Sequence, residues 1–148
     1  VDYTHVDLGA CSQEQFLQGL CNKVKEGYDF VNTDNNPMDD NGHGTHVAAT
    51  AGGNGILKGI APDSVIYAYK VLNSGGSGYE SDIISAIERS VDPNQDKNYS
   101  DHLDIISLSL GGSGSSDDPM SQAIDNAVNN ELSLLLLLEI LDLITIQF

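Results

Sequence analysis

Residues 39–48 combine residue types and spacings that suit proton transfer. They read Asp-Asp-Asn-Gly-His-Gly-Thr-His-Val-Ala, so a carboxylate-rich loop leads through two glycines into a segment of small residues. Gly42 and Gly44 leave room for another backbone or a substrate to approach closely. His43, held at the start of a helix, can exchange a proton near neutral pH and act as a general acid or base. For such a run taken by itself, a metal ligand or a structural loop histidine is the alternative.

The elements around this run alternate between strand and helix patterns, which predicts a largely parallel sheet. A helix of small residues is predicted over Thr45–Ala51, directly after His43. β-Branched and aromatic residues predict strands over residues 24–31, 65–71 and 103–110.

Two further helices are predicted from apolar residues at helical spacing. The first spans Asp82–Val91, and the second begins near Pro119, a residue that is favoured in the first helical turn. The predicted inner faces comprise Ile83, Ile84, Ile87 and Val91 in the first helix, and Met120, Ala123, Ile124, Ala127 and Val128 in the second.

The composition predicts a soluble globular piece of at most one domain. The chain has 148 residues, of which 40% are hydrophobic, and a net charge of −16 at pH 7. That charge argues against nucleic acid and against anionic membrane surfaces as partners. The leucine-rich segment near the end carries Glu139 and Asp142 and is barely long enough to span a membrane, so no membrane segment is predicted. Cys11 and Cys21 are compatible with either a disulfide or two free thiols.

Several motifs, in consistent order, resemble the subtilisin-like serine proteases, the subtilases. The resemblance covers residues 1–130, a partial catalytic domain, whereas residues 131–148 form a leucine-rich tail that does not match. It implies a fragment of a three-layer α/β fold, with a mainly parallel sheet and helices on both faces. The matching segments are residues 1–8, 27–32, 37–40, 41–48, 59–62, 67–72, 76–78 and 104–112.

The resemblance implies a peptidase that cleaves peptide or protein substrates through an acyl-enzyme, at an extracellular or cell-surface location. His43 matches the catalytic histidine, and no cofactor is required for that chemistry. Asp7 matches a position that ligates structural calcium in the family, although the loop at residues 52–55 is shorter than the usual calcium loop. The segments that match the substrate-binding strands are Gly76-Ser77-Gly78 and Ser109-Leu110-Gly111.

Two members of the family's catalytic triad have no match here. The aspartate is expected three residues before Val1, so Asp2 is not its counterpart, and the serine motif does not occur. Residues 1–148 are therefore expected to be inactive alone. A non-catalytic fragment that binds peptides or partner chains is the first alternative. A metal-dependent hydrolase is the second, but the chain lacks the His-Glu-x-x-His pattern of zinc proteases.

The same resemblance predicts a gap in the sheet. The strand that ends at the family's catalytic aspartate lies between the strands that match residues 65–71 and 103–110. Without it, we expect both strands to expose unpaired backbone groups, and the chain to be molten or prone to aggregation.

Overall fold

The computed structural model describes residues 1–112, 114–136 and 143–147. The predicted strands and helices are confirmed, and the first and third strands are shorter than predicted. In chain order the elements are a 3₁₀ turn at Val6–Leu8, α1 (Gln13–Leu17), β1 (Val24–Asp29), α2 (His43–Gly52), β2 (Val65–Lys70), α3 (Glu80–Val91), a 3₁₀ turn at Tyr99–Asp101, β3 (Ile105–Leu108), α4 (Pro119–Asn129), β4 (Ser133–Leu136) and β5 (Leu143–Gln147).

The five strands form one sheet in the order β1-β2-β5-β3-β4. β1 pairs with β2 and β3 pairs with β4 in parallel, whereas β5 runs antiparallel to both β2 and β3. The prediction of a mainly parallel sheet is confirmed, with β5 as the exception. The carboxyl ends of β1 to β4 therefore lie at one edge of the sheet. β5 begins at that same edge, where Leu143 pairs with Leu108.

The predicted gap between β2 and β3 is filled by β5. Ile146 is the register partner of Ile66 in β2 and also of Ile105 in β3. The expectation that β2 and β3 lack a hydrogen-bonding neighbour is therefore wrong for the described residues. An antiparallel strand satisfies the same backbone donors and acceptors as a parallel one. The β-branched run Ile144-Thr145-Ile146 also favours strand formation.

Helices cover both faces of the sheet because side chains alternate along β2. Ile66 and Ala68 pack into one apolar cluster with Ala48 of α2. Tyr69 packs into the opposite cluster, which contains Ile87 of α3 and also buried residues of α4. The three-layer arrangement implied by the resemblance is confirmed.

Helix α4 begins as predicted, but one residue of its predicted inner face is exposed. Asp118 is the N-cap residue, and its side chain accepts the N–H of Ser121 at 2.8 Å. Ala123 and Ala127 lie one turn apart and are buried, which fixes the centre of the buried stripe. Val128 is 49% exposed, since it lies beyond the margin of that stripe, so its assignment to the inner face is wrong.

Cys11 and Cys21 form a disulfide, with their Cα atoms 5.9 Å apart. Both half-cystines are buried. Helix α1 lies between them and places Phe16 in a stacked contact with Tyr3, at 4.2 Å between ring centroids. The disulfide therefore closes a short loop that packs against the first residues of the chain.

Replacing both cysteines, Cys11→Ala and Cys21→Ala, should lower the free energy of unfolding by about 2–3 kcal/mol. A cross-link that closes a loop of about ten residues restricts the unfolded chain to that extent. Urea unfolding measures the change. A reductant should lower the free energy of unfolding of the wild-type chain by a similar amount and leave that of the double variant unchanged. An equal decrease in both would contradict the assignment of the disulfide.

Within the part of the chain that the structure describes, no helix is both long and apolar enough to cross a membrane.

Candidate active site

Helix α2 begins at His43, and a carboxylate in the preceding loop fixes that start. The N-cap residue Gly42 has φ of 100°, in the left-handed region that favours glycine. Asp39 supplies the capping oxygens: Oδ1 accepts the N–H of Gly42 at 2.8 Å and that of Asn41 at 2.9 Å, and Oδ2 accepts the N–H of Thr45 at 2.9 Å. His43 is held half-buried at this start, with its Nδ1 atom buried.

The hydrogen bonds at Asp39 also set its charge. Burial alone would raise the pKa of the Asp39 carboxyl group, but the bonds from Gly42, Thr45 and Asn41 outweigh it and hold the pKa well below its usual range. Because the pKa is lower in the folded state, the carboxylate contributes stability above its unfolded pKa of about 3.9. That contribution is lost as the pH falls through the folded-state pKa.

Asp39→Asn should destabilise the chain at pH 7 by about 1–2 kcal/mol, the usual cost of losing a helix cap. The difference in free energy of unfolding between the variant and wild type should narrow as the pH falls below about 4, because the wild-type carboxylate then contributes less stability. Urea unfolding at pH 7 and pH 3 measures both effects. Asp125→Asn, at an exposed position on α4, is the control and should change little at either pH. A difference in free energy of unfolding between Asp39→Asn and wild type that is the same at both pH values would rule out this charge effect.

Thr45 joins the start of α2 to the first residues of the chain. Its hydroxyl group donates to Oδ2 of Asp39 and accepts the backbone N–H of Asp2 at 2.8 Å. The backbone nitrogen of Val1 donates to the carbonyl of Pro37 at 2.8 Å. Residues 1 and 2 therefore lie against the segment that leads into α2. Sequence analysis missed Thr45, since only the fold brings the two segments together.

The Asp2 carboxylate is bonded locally. Its Oδ1 atom accepts the backbone N–H of Thr4 at 2.9 Å and also accepts the Thr4 hydroxyl group. This turn directs the carboxylate along its own segment.

A buried ion pair ties the loop before His43 to the carboxyl ends of β1 and β2. Nζ of Lys70 donates to Oδ2 of Asp29 at 3.2 Å and to Oδ2 of Asp40 at 2.9 Å. Lys70 and Asp29 are buried. Burial alone would lower the pKa of Lys70, but the bonds to Asp40 and Asp29 raise it. Sequence analysis missed this pair as well, although a lysine at the end of an apolar strand signals a charged partner.

The segment Gly76-Ser77-Gly78 follows β2 at the same edge of the sheet as His43. Gly76 has φ of 74°. Asn73 closes the loop, because its carbonyl accepts the N–H of Gly76 and its own N–H donates to the carbonyl of Ser77. A Cβ atom on Gly78 would lie 2.0 Å from the carbonyl oxygen of Val71, so glycine is required there. The side-chain N–H of Asn41 donates to the carbonyl of Ser74 at 3.0 Å, which couples this loop to the one that carries His43.

The segment Ser109-Leu110-Gly111 follows β3 and therefore reaches the same edge. The side chains of Ser109 and Leu110 are buried, whereas Gly111 is exposed. The topology brings His43 and both glycine-containing segments to one edge of the sheet.

The remaining histidines lie elsewhere in the structure. His46, one turn after His43 in α2, is exposed. His5 caps the first 3₁₀ turn, because its Nδ1 atom accepts the N–H of Asp7 at 3.2 Å. Nδ1 of His102 lies 3.0 Å from the carbonyl oxygen of Leu103.

The residues around Asp7 do not fit a calcium ion. Asp7 is 5% exposed, and its Oδ1 atom accepts the N–H of Leu57 at 3.0 Å. Its carbonyl oxygen accepts the N–H of Asn54 at 2.8 Å. Calcium requires six to eight oxygen ligands, whereas this loop directs N–H donors at Asp7.

Comparison with known proteins shows similarity to the members of one family. A family model described as the subtilase family matches residues 1–138. The minor extracellular protease Vpr of Bacillus subtilis (strain 168) is 39% identical over 139 residues, covering 87% of this chain and 15% of Vpr. Subtilisin DY of Bacillus licheniformis is 44% identical over 110 residues, covering 71% of this chain and 36% of that protein. The crystal structure of a cold-adapted subtilisin-like serine proteinase matches with a TM-score of 0.69 at 29% identity, covering 90% of this chain and 41% of that one. The chain therefore spans less than half the length of each of these relatives.

Proposed function

The chain belongs to the subtilase family, and we propose from this that it is part of the catalytic domain of a serine endopeptidase. In the proposed reaction, His43 takes the proton from an attacking serine and later delivers it to the leaving amine. The serine and the aspartate of the triad come from segments outside residues 1–148. The reaction uses side chains and backbone groups only and requires no cofactor.

The observation that carries this proposal is the position of residues 1 and 2. Val1 and Asp2 are hydrogen-bonded to Pro37 and Thr45, on either side of His43 in the sequence. Three further residues before Val1 span at most about 10 Å. An aspartate at that distance along the chain is therefore within reach of His43, where a carboxylate orients the imidazole.

The proposed substrate is a peptide in extended conformation. Both candidate substrate-binding segments contain glycine and follow parallel strands at the edge where His43 lies. Glycine exposes backbone N–H and C=O groups, with which an extended peptide pairs as an added strand. The proposed location is extracellular, because Vpr is named as an extracellular protease. The disulfide agrees, since disulfides persist in oxidising compartments.

A second function, non-catalytic peptide binding by residues 1–148 alone, is favoured by one observation. β5 completes the sheet between β2 and β3 without any segment from outside these residues. A chain that closes its own sheet in this way can present the glycine segments to a peptide without performing chemistry.

Labelling with a fluorophosphonate probe separates the two functions. Residues 1–148 alone should not be labelled, because they lack the serine motif. A longer natural chain that includes the flanking segments should be labelled at its serine, and His43→Ala should remove that labelling. If residues 1–148 alone were labelled and the labelling required His43, the proposal that the serine lies outside these residues would be wrong. A longer chain that is not labelled would favour the non-catalytic function.

A further inference from the structure

The loop that follows α2 closes directly onto Asp7. Leu57 donates its N–H to the carboxylate, and Asn54 donates its N–H to the carbonyl of the same residue. A Cβ atom on Gly55 would lie 2.5 Å from Oδ1 of Asp7 and 2.5 Å from the carbonyl oxygen of Val6. The backbone of Gly55 therefore occupies the space beside the carboxylate in which a metal ligand would have to lie.

A positive charge from the chain itself lies in the adjoining cavity. Lys23 is 9% exposed, and its Nζ atom donates to the carbonyl of Pro62 at 2.9 Å and to that of Ser64 at 2.5 Å. Lys23, Asp7 and Asp63 line one cavity of about 260 Å³. Carbonyl and carboxylate oxygens are the ligands that calcium prefers, and in this cavity the carbonyls already accept from an ammonium group.

We propose that this chain replaces the family's calcium ion with groups of its own. The N–H groups of Asn54 and Leu57 hold the loop to Asp7, and the ammonium group of Lys23 places a positive charge in the cavity that Asp7 also lines. The loop therefore keeps its fold without calcium. A calcium ion that entered would have to displace the Leu57 hydrogen bond and lie near the charge of Lys23, and both effects oppose binding.

Thermal unfolding in EDTA and in millimolar calcium chloride tests this proposal. Among the described residues, Asp92, Asp96 and Asp101 place carboxylate oxygens within 4.8 Å of one another, and calcium there would confuse the result. The measurement is therefore made on the chain carrying Asp96→Asn. Its Tm should be the same in both solutions to within about 1 °C, since a ligand stabilises only a state that it binds. A calcium-dependent rise of several degrees that Asp7→Asn abolishes would overturn the proposal.

The role of Lys23 has its own test in the same background. Lys23→Met should lower the Tm by about 5 °C in both solutions, because it leaves the buried carbonyl of Ser64 and the partly buried carbonyl of Pro62 without their donor. Lys25→Met, two residues along the chain and exposed, is the matched control and should change the Tm little. Equal effects of the two substitutions would show that the ammonium group does not hold the loop.

Amide hydrogen exchange of the unaltered chain gives a readout that needs no variant. The Leu57 N–H should be protected to the same extent in EDTA and in calcium chloride. Rapid exchange in EDTA with protection restored by calcium would contradict the proposal, because the hydrogen bond to Asp7 would then depend on the metal.

Discussion

His43→Ala should lower kcat of the proposed longer enzyme by about a millionfold. This magnitude is the one known for removing the histidine from the triad of subtilisin, a member of the same family, and is not obtained from the present structure. The reason is that the serine attacks only as its proton leaves, and in the proposed reaction the imidazole at the start of α2 accepts that proton. Steady-state hydrolysis of a chromogenic peptide measures the loss.

His46→Ala is the matched control for this experiment. His46 lies in the same helix, one turn from His43, and is exposed. Its removal should change stability by no more than about 0.5 kcal/mol, as for most surface positions, and leave kcat close to wild type. Circular dichroism confirms that both variants are folded. Equal loss of turnover in the two folded variants would show that the assignment of His43 as the general base is wrong.

The sequence was sufficient to predict the parts of the site that depend on local residue types. A histidine between glycines, followed by small residues, predicted the start of α2 and the candidate base, and the start of α2 is confirmed. The apolar pattern of residues 65–71 predicted β2 for the same reason, since hydrophobic periodicity is a local signal. Both features are contained in stretches of about ten residues or fewer.

The parts that sequence reasoning missed join segments that are distant along the chain. The Lys70 ion pair links residues separated by 41 and 30 positions, and the Thr45–Asp2 hydrogen bond spans 43. No local pattern specifies which carboxylate among the chain's acidic residues will meet Lys70. The position of β5 is a stronger case, because strand order depends on which backbone edges remain unpaired after the rest of the sheet has formed.

Removing residues 137–148 should abolish cooperative folding of this chain. The deletion takes away β5, which pairs four residues with β2 and four with β3. Each backbone group left buried without a partner costs about 1–3 kcal/mol, and a domain has only about 5–15 kcal/mol of stability in total. A few unmatched groups on either side of the gap are therefore sufficient to unfold the sheet. Thermal circular dichroism and size-exclusion chromatography measure the loss.

Proline substitutions separate the effect of the central strand from that of a shorter chain. Thr145 has register partners in both neighbours, Tyr67 in β2 and Ile106 in β3. Thr145→Pro removes a ladder donor from a strand that is paired on both sides, so it should act like the deletion. Gln147 pairs only with Val65 in the described ladders, and Gln147→Pro is therefore the milder control.

A monomer of residues 1–136 that melts sharply would mean that β2 and β3 close up against each other, and that β5 is dispensable. If it instead loses its cooperative melt, and Thr145→Pro does the same while Gln147→Pro does not, the sheet requires a strand at this position. In the longer enzyme that we propose, the strand that carries the triad aspartate would then have to displace β5 before a triad could assemble around His43.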